Sequence, residues 1–288
     1  MSEVDVGIRA TPQGTLVDRV LRFLGDQSAD SLTLARDVLG IGRATRAIAD
    51  RVAVALLGSD PRVRQLSDGK WALAGAREGA IELANCTFAV VDVETTGNSP
   101  GRGDRLTEIA IVTLCDGKIE VALETLVNPQ KAIPPIVTSL TRITNDMVHD
   151  QPTFDDIADE VLDALAGRVF VAHNARFDWA FLSREVRRTR GLALEGPKVC
   201  TVQLARRLIP GLRSRSLDSV TSYFGVEISE RHRAGGDAVA TAEILQKLLG
   251  LAEERGVATL ADLKELGRPR KRLKKKKKTA LPTSVKEL

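Results

Sequence analysis

In the first third of the chain, apolar positions recur with the period of a helix. Leu16, Val20, Leu21 and Leu24 follow Gly14, a shorter segment runs from Ser31 to Val38 with Ser31 as its cap, and ATRAIADRVAVALLG follows Gly42. The first ten or so residues carry no such pattern and are expected to be unstructured. In VRQLSDGKWALA two short strand-like runs meet across Asp68-Gly69, a hairpin signal. Three helices closed by a hairpin predict a small α+β unit of winged-helix type over residues 1–80. Arg43, Arg46 and Arg51 would lie on or beside its third helix, as a nucleic-acid contact or as ordinary surface arginines of a docking unit.

After a short linker around residues 79–85 the period changes from a helix to a strand. FAVVDVETTG, residues 88–97, reads as a buried strand interrupted by carboxylates and ended by a turn. RLTEIAIVTLCDGKIEVALETLVNP adds a hairpin turning at Asp116-Gly117-Lys118. Prolines 129, 134 and 135 break the chain, and short helical segments follow. Then helices and strands alternate: TFDDIADEVLDALAG, the strand RVFVA, the long helix from HNARFDWAFLSREVRRTR, a short strand at Val199-Cys200-Thr201, TVQLARRLI, LDSVTSYFGV and DAVATAEILQKLLGLAEER. An antiparallel hairpin followed by alternating elements implies an α/β domain with a mixed sheet over residues 87–252. Residues 253–288 read as a C-terminal helix and a disordered basic tail.

Composition supports a substantial core: 43% of residues are apolar and 28% charged. Aromatics, at 3%, are too few for broad base-stacking platforms. The formal charge of +4 is uneven, because residues 268–278 hold nine Lys/Arg and no acid, which leaves −5 on the rest. Three cysteines without a CxxC pair point to a reducing, cytoplasmic setting. The amino terminus lacks an apolar signal core and no run is long enough to span a bilayer, which argues against secretion and membrane insertion.

The chemistry is carried by acids. Side chains alternate along a strand, so Asp92 and Glu94 share a face about 7 Å apart and repel unless protonated, paired or bridged by a cation. In HNARFD, Asp178 falls in the first turn of a helix, where an acid is stabilising without any function. In HRAGGDA, Gly235-Gly236 permits a tight turn and Asp237 opens a helix, with His232 five residues before it.

Taken in order, Asp92-x-Glu94, Asp178 in HNARFD and His232-x4-Asp237 resemble the three motifs of the DEDDh 3′–5′ exonuclease family. The likeness is nearest to proofreading epsilon-subunit-like domains and covers about residues 87–250; IPPIVTSLTRITNDMVHDQPTF is similar to the family's connecting segment. The resemblance implies a ribonuclease-H-like fold, a mixed sheet flanked by helices. It also implies two divalent cations, Mg²⁺ or Mn²⁺, held by Asp92, Glu94, Asp178 and Asp237, with His232 as general base. Thr95, His173 and Asn174 are candidate substrate contacts, although each also suits a turn or a helix cap; Phe177, Phe181 and Leu182 read as core.

The expected partner is nucleic acid at single-stranded 3′ ends, DNA ahead of RNA, with a DNA polymerase as a further candidate and no membrane. No Gln-x-x-Leu-x-Phe clamp-binding peptide stands out, which favours a stand-alone repair or end-trimming enzyme over a proofreading subunit. The alternatives are an RNA 3′–5′ exonuclease, since the motifs do not read the sugar, and a nucleic-acid-binding regulator with a vestigial nuclease site.

Overall fold

A computed structural model of the chain describes residues 7–12, 15–24, 28–60, 62–73 and 81–268. The basic run beyond Arg268, the first six residues and the start of the linker lie outside the described residues, and so do the expectations made for them.

Strand β1 (Arg9–Pro12) comes first, and helix α1 (Leu16–Leu24) follows it. Helix α2 (Ser31–Thr33) runs on into a π-helical turn at Leu34–Val38. Helix α3 (Arg46–Leu57) precedes the hairpin of β2 (Val63–Gln65) and β3 (Trp71–Leu73). The cap of α2 is Asp30, whose carboxylate accepts from the Thr33 amide. Ser31, expected to cap, is instead buried in the first turn, where its hydroxyl accepts from the Trp71 indole at 3.3 Å. Val20, Leu24, Leu34, Leu57, Val63 and Trp71 close a small core.

The expectation that the first ten or so residues are unstructured fails from Gly7 onward. Strand β1 pairs antiparallel with β8 (Leu192–Glu195), and Ile8 is buried among residues of the second, larger unit. That partner lies some 180 positions away in sequence, so no local pattern announces it.

The larger unit is built on a five-stranded sheet. Strand β4 (Phe88–Thr95) pairs antiparallel with β5 (Leu106–Cys115), which pairs antiparallel with β6 (Lys118–Leu126). On its other side β4 runs parallel to β7 (Val169–Ala172), and β7 parallel to β9 (Lys198–Cys200). The order is thus β6-β5-β4-β7-β9. Between β6 and β7 lie α4 (Pro135–Thr141), α5 (Asn145–His149) and α6 (Phe154–Leu165). Helix α7 (Ala175–Arg190) leads to β8; α8 (Thr201–Leu208), α9 (Leu217–Phe224), α10 (Ala234–Glu253) and α11 (Leu260–Gly267) complete the chain.

Alternation along β4 divides its side chains between two cores. Ala89, Val91 and Val93 pack with Phe154, Phe181 and Leu182 of α6 and α7. Phe88 and Val90 pack with Ala238, Leu245 and Leu248 of α10. Asp92 and Glu94 continue the second row, at the carboxyl end of the central strand. Among the described residues no helix is long and apolar enough to cross a membrane.

Candidate active site

Four carboxylates meet at the carboxyl end of β4. Asp92 and Glu94 come from the strand, Asp178 from the first turn of α7, and Asp237 from the first turn of α10. Asp178 and Asp237 are buried, at 3% and 4% exposure. Burial raises all four pKa values, and for Asp92 repulsion from Asp178, Asp237 and Glu94 adds to it. Glu94 is pushed up to about 8, by burial first, then by Asp237 and Glu108. Asp178 also reaches about 8 through burial, although the backbone at Asp178 and Val93 pulls the other way.

Ligand atoms of Glu94, His232 and Asp237 lie within 4.8 Å of one another. Oδ2 of Asp178 and Oδ1 of Asp237 are buried without a hydrogen-bond partner. Buried carboxylate oxygens normally have partners. Orphaned carboxylate oxygens in a cluster of acids fit a hard divalent cation, with the His232 imidazole beside it.

The turn that delivers His232 differs from the one expected of HRAGGDA. Gly235 and Gly236 already lie inside α10, and the left-handed residue is His232 itself, with φ 62°. Gly236 is needed for room: a Cβ there would sit 2.6 Å from the Glu230 carbonyl oxygen. Both flanks of His232 are arginines in ion pairs. Arg231 reaches Asp237 through Nη1 and Asp218 through Nε at 2.5 Å. Arg233 grips Glu108 of β5. Neither arginine was assigned a role from sequence: the Asp218 partner of Arg231 lies on α9 and the Glu108 partner of Arg233 on β5, 125 positions away.

The remaining candidates sit around this cluster. The Thr95 hydroxyl donates to the Gly97 carbonyl at 2.6 Å and is buried in the turn. Nε2 of His173 is 2.9 Å from the Arg215 carbonyl, an acceptor only, so Nε2 carries the proton and Nδ1 accepts from the Thr201 hydroxyl at 2.9 Å. Burial also holds the His173 pKa down. Asn174 is exposed, has φ 82°, and makes no side-chain cap bond to α7. Phe181 and Leu182 are buried, and Phe177 packs beside them at 4.9 Å between ring centroids of Phe177 and Phe181.

This fold and site define a nuclease class, and comparison with known proteins agrees. The RNase_T family, described as exonuclease, matches residues 89–245. The DNA polymerase III epsilon subunit of Aquifex aeolicus is 36% identical over 167 residues, covering 58% of this chain and 82% of its own length. The 3′–5′ exonuclease DinG of Bacillus subtilis is 37% identical over 180 residues, 62% of this chain. A PolC-type DNA polymerase III from Caldanaerobacter subterraneus is 36% identical over 198 residues, 69% of this chain. The chain spans only 19% and 14% of the length of these last two. Among solved structures, Exonuclease X in complex with 5′-overhanging duplex DNA superposes with TM-score 0.50 at 29% identity, over 63% of this chain and 99% of that one. The chain belongs to the RNase_T exonuclease family, in its DEDDh 3′–5′ branch.

Proposed function

We propose that the protein hydrolyses DNA from single-stranded 3′ ends and releases nucleoside 5′-monophosphates, in repair, end trimming or proofreading. The observation that carries this reading is the pair of orphaned carboxylate oxygens on Asp178 and Asp237 beside Asp92, Glu94 and His232. Asp92, Glu94, Asp178 and Asp237 would hold two divalent cations, Mg²⁺ or Mn²⁺. When bound, these ions supply charge stabilisation for the attacking and leaving oxygens of an in-line displacement.

The protein's own groups do the rest. His232, whose ring lies beside Glu94 and Asp237, takes the proton of the attacking water on a ring nitrogen. Asn174, exposed at the start of α7, offers amide donors to the terminal nucleotide. His173 fixes the end of β7 to the segment before α9, and Thr95 shapes the turn on which that nucleotide would rest. DNA is favoured over RNA because two of the relatives are DNA polymerase III proteins and one similar structure is a nuclease bound to duplex DNA. The two polymerase relatives also make a DNA polymerase a candidate partner. In this reading residues 1–80 would be the winged-helix-type unit, lending β1 and Ile8 to its neighbour, with 87–252 the nuclease and 253–288 the C-terminal helix and basic tail.

The deciding experiment incubates purified protein with Mg²⁺ or Mn²⁺ and end-labelled single- and double-stranded DNA and RNA. Stepwise shortening of single-stranded DNA from the 3′ end, abolished by chelator, is expected. Degradation of RNA alone, or metal-independent cleavage, would overturn the assignment.

A further inference from the structure

His232 stands in a backbone conformation that a residue with a Cβ seldom adopts. Such a conformation persists when its surroundings over-determine it. The surroundings here are a buried carboxylate outside the acidic quartet. Glu108, on β5, is 1% exposed. Its Oε1 accepts from Arg233 Nε at 2.9 Å and Nη2 at 2.5 Å. Its Oε2 accepts from Arg233 Nε at 3.1 Å and from the Ala234 backbone N–H at 2.9 Å. A forked guanidinium and a helix-terminal amide thus satisfy both oxygens of a charge that burial would otherwise penalise. The other acids near Arg233, Glu230 at 3.9 Å and Glu124 at longer range, are both exposed and hold it weakly.

The location of this anchor matters as much as its bonds. Glu108 is the residue directly opposite Glu94 in the β4–β5 register. One rung of the sheet therefore sets both the Glu94 carboxylate and the point where the chain leaves His232. We propose that Glu108 is a positioning residue for the exonuclease reaction, which holds the His232 imidazole beside Glu94 and Asp237 by clamping Arg233 and the first amide of α10. This rests on the reading of His232 as the group that takes the water's proton.

The test is a kinetic double-mutant cycle on a labelled single-stranded DNA at saturating Mg²⁺, with wild type, Glu108→Gln, His232→Ala and the pair. Glutamine keeps the shape and loses the charge and one acceptor. A misplacement of about 1 Å can cost ~10²-fold, so Glu108→Gln should lower kcat roughly 10–100-fold. KM and the Mg²⁺ midpoint should stay within about threefold, because no metal ligand is removed. In the His232→Ala background the same change should cost less than about threefold, since the residue it acts through is gone. Arg233→Lys, which keeps the charge without the fork, should show a smaller loss of kcat and serves if Glu108→Gln does not fold. An unchanged kcat, a loss repeated in full on His232→Ala, or rescue by excess Mg²⁺ each overturns the proposal while wild type remains active. A wild type inert on all nucleic acids sinks the exonuclease reading and this proposal with it.

Discussion

The amino-terminal unit and the active site of this chain use aspartate in opposite ways. In the amino-terminal unit, Asp30 caps a helix, Asp60 binds Arg62 and Asp68 binds Lys70, and each of these partners lowers the pKa of its acid. In the nuclease, burial and mutual repulsion raise the pKa values of Asp92, Glu94, Asp178 and Asp237. The first set stabilises the fold, and the second destabilises it unless cations arrive. Clustered titratable groups with strongly raised pKa values mark functional sites for this reason.

Charge divides the same way. Residues 7–73 carry ten Lys/Arg against seven Asp/Glu, a net +3, whereas residues 81–267 carry 21 against 27, a net −6. Yet the exposed face of α3 is not a basic strip. It presents Ala47, Ile48, Val54 and Ala55 with Arg51 among them, and Arg43 and Arg46 at its start. The positive charge of the unit is spread, and part of it is spent inward: Arg62 joins Asp18, Asp60 and Glu195, tying the hairpin to β8.

The contrast can be broken most sharply at the quartet. Asp92→Ala or Asp178→Ala should reduce exonuclease activity to background while Tm in chelator is unchanged or raised. A variant that keeps robust cleavage would remove that acid from the metal site. His232→Ala should lower kcat by ~10²–10⁴-fold, the usual size of general-base catalysis, with metal affinity nearly constant. A near-normal kcat across the pH range would mean that another group activates the water.

A change on the amino-terminal side should do the reverse, affecting stability and not chemistry. Ile8, 2% exposed, fills the nuclease core from outside its sequence span. Ile8→Ala should cost ~2–5 kcal/mol in denaturant unfolding with kcat preserved below the transition. A kcat loss with stability intact would show that β1 supports the site directly.

The pH dependence of stability in chelator follows from the raised acids. Glu94 and Asp178 titrate at about 8 when folded, against ordinary values of 4.5 and 3.8. Between those limits the folded state binds more protons than the unfolded state, so stability falls as pH rises from about 4 to 8. Asp178→Asn should flatten that slope, and saturating Mg²⁺ should do so as well. Equal slopes for wild type and variant, in melts run across this range, would contradict the shifts.

The smallest effect concerns the nine positive charges of residues 268–278. Each single-strand phosphate they neutralise should add ~0.7 to the salt slope of log K. Deleting residues 268–288 should raise KM at low salt and flatten its salt dependence with kcat unchanged. Identical binding curves at several salt concentrations would rule out a role in substrate capture.

Sequence by itself determined the local elements and the identity of the acids. A nearly continuous apolar run broken by carboxylates marked β4, and the turn at Asp116-Gly117-Lys118 marked β5 and β6 as a hairpin. Helical spacing marked α1, α3 and α6, and the turn at Asp116-Gly117 was legible because its backbone demands, with positive φ at both residues, are local. The three motifs named Asp92, Glu94, Asp178, His232 and Asp237, since each is a short string of chemically demanding residues. Tertiary structure alone decided what those strings meet. Nothing near Ile8 signals a partner at β8, nothing near Arg231 signals Asp218, and nothing in HRAGGDA signals that His232 bends or that Glu108 clamps its neighbour. Pairings of that kind are fixed by the sheet register and by helix packing. They depend on which distant charges burial leaves in need of a partner, and no local pattern encodes that.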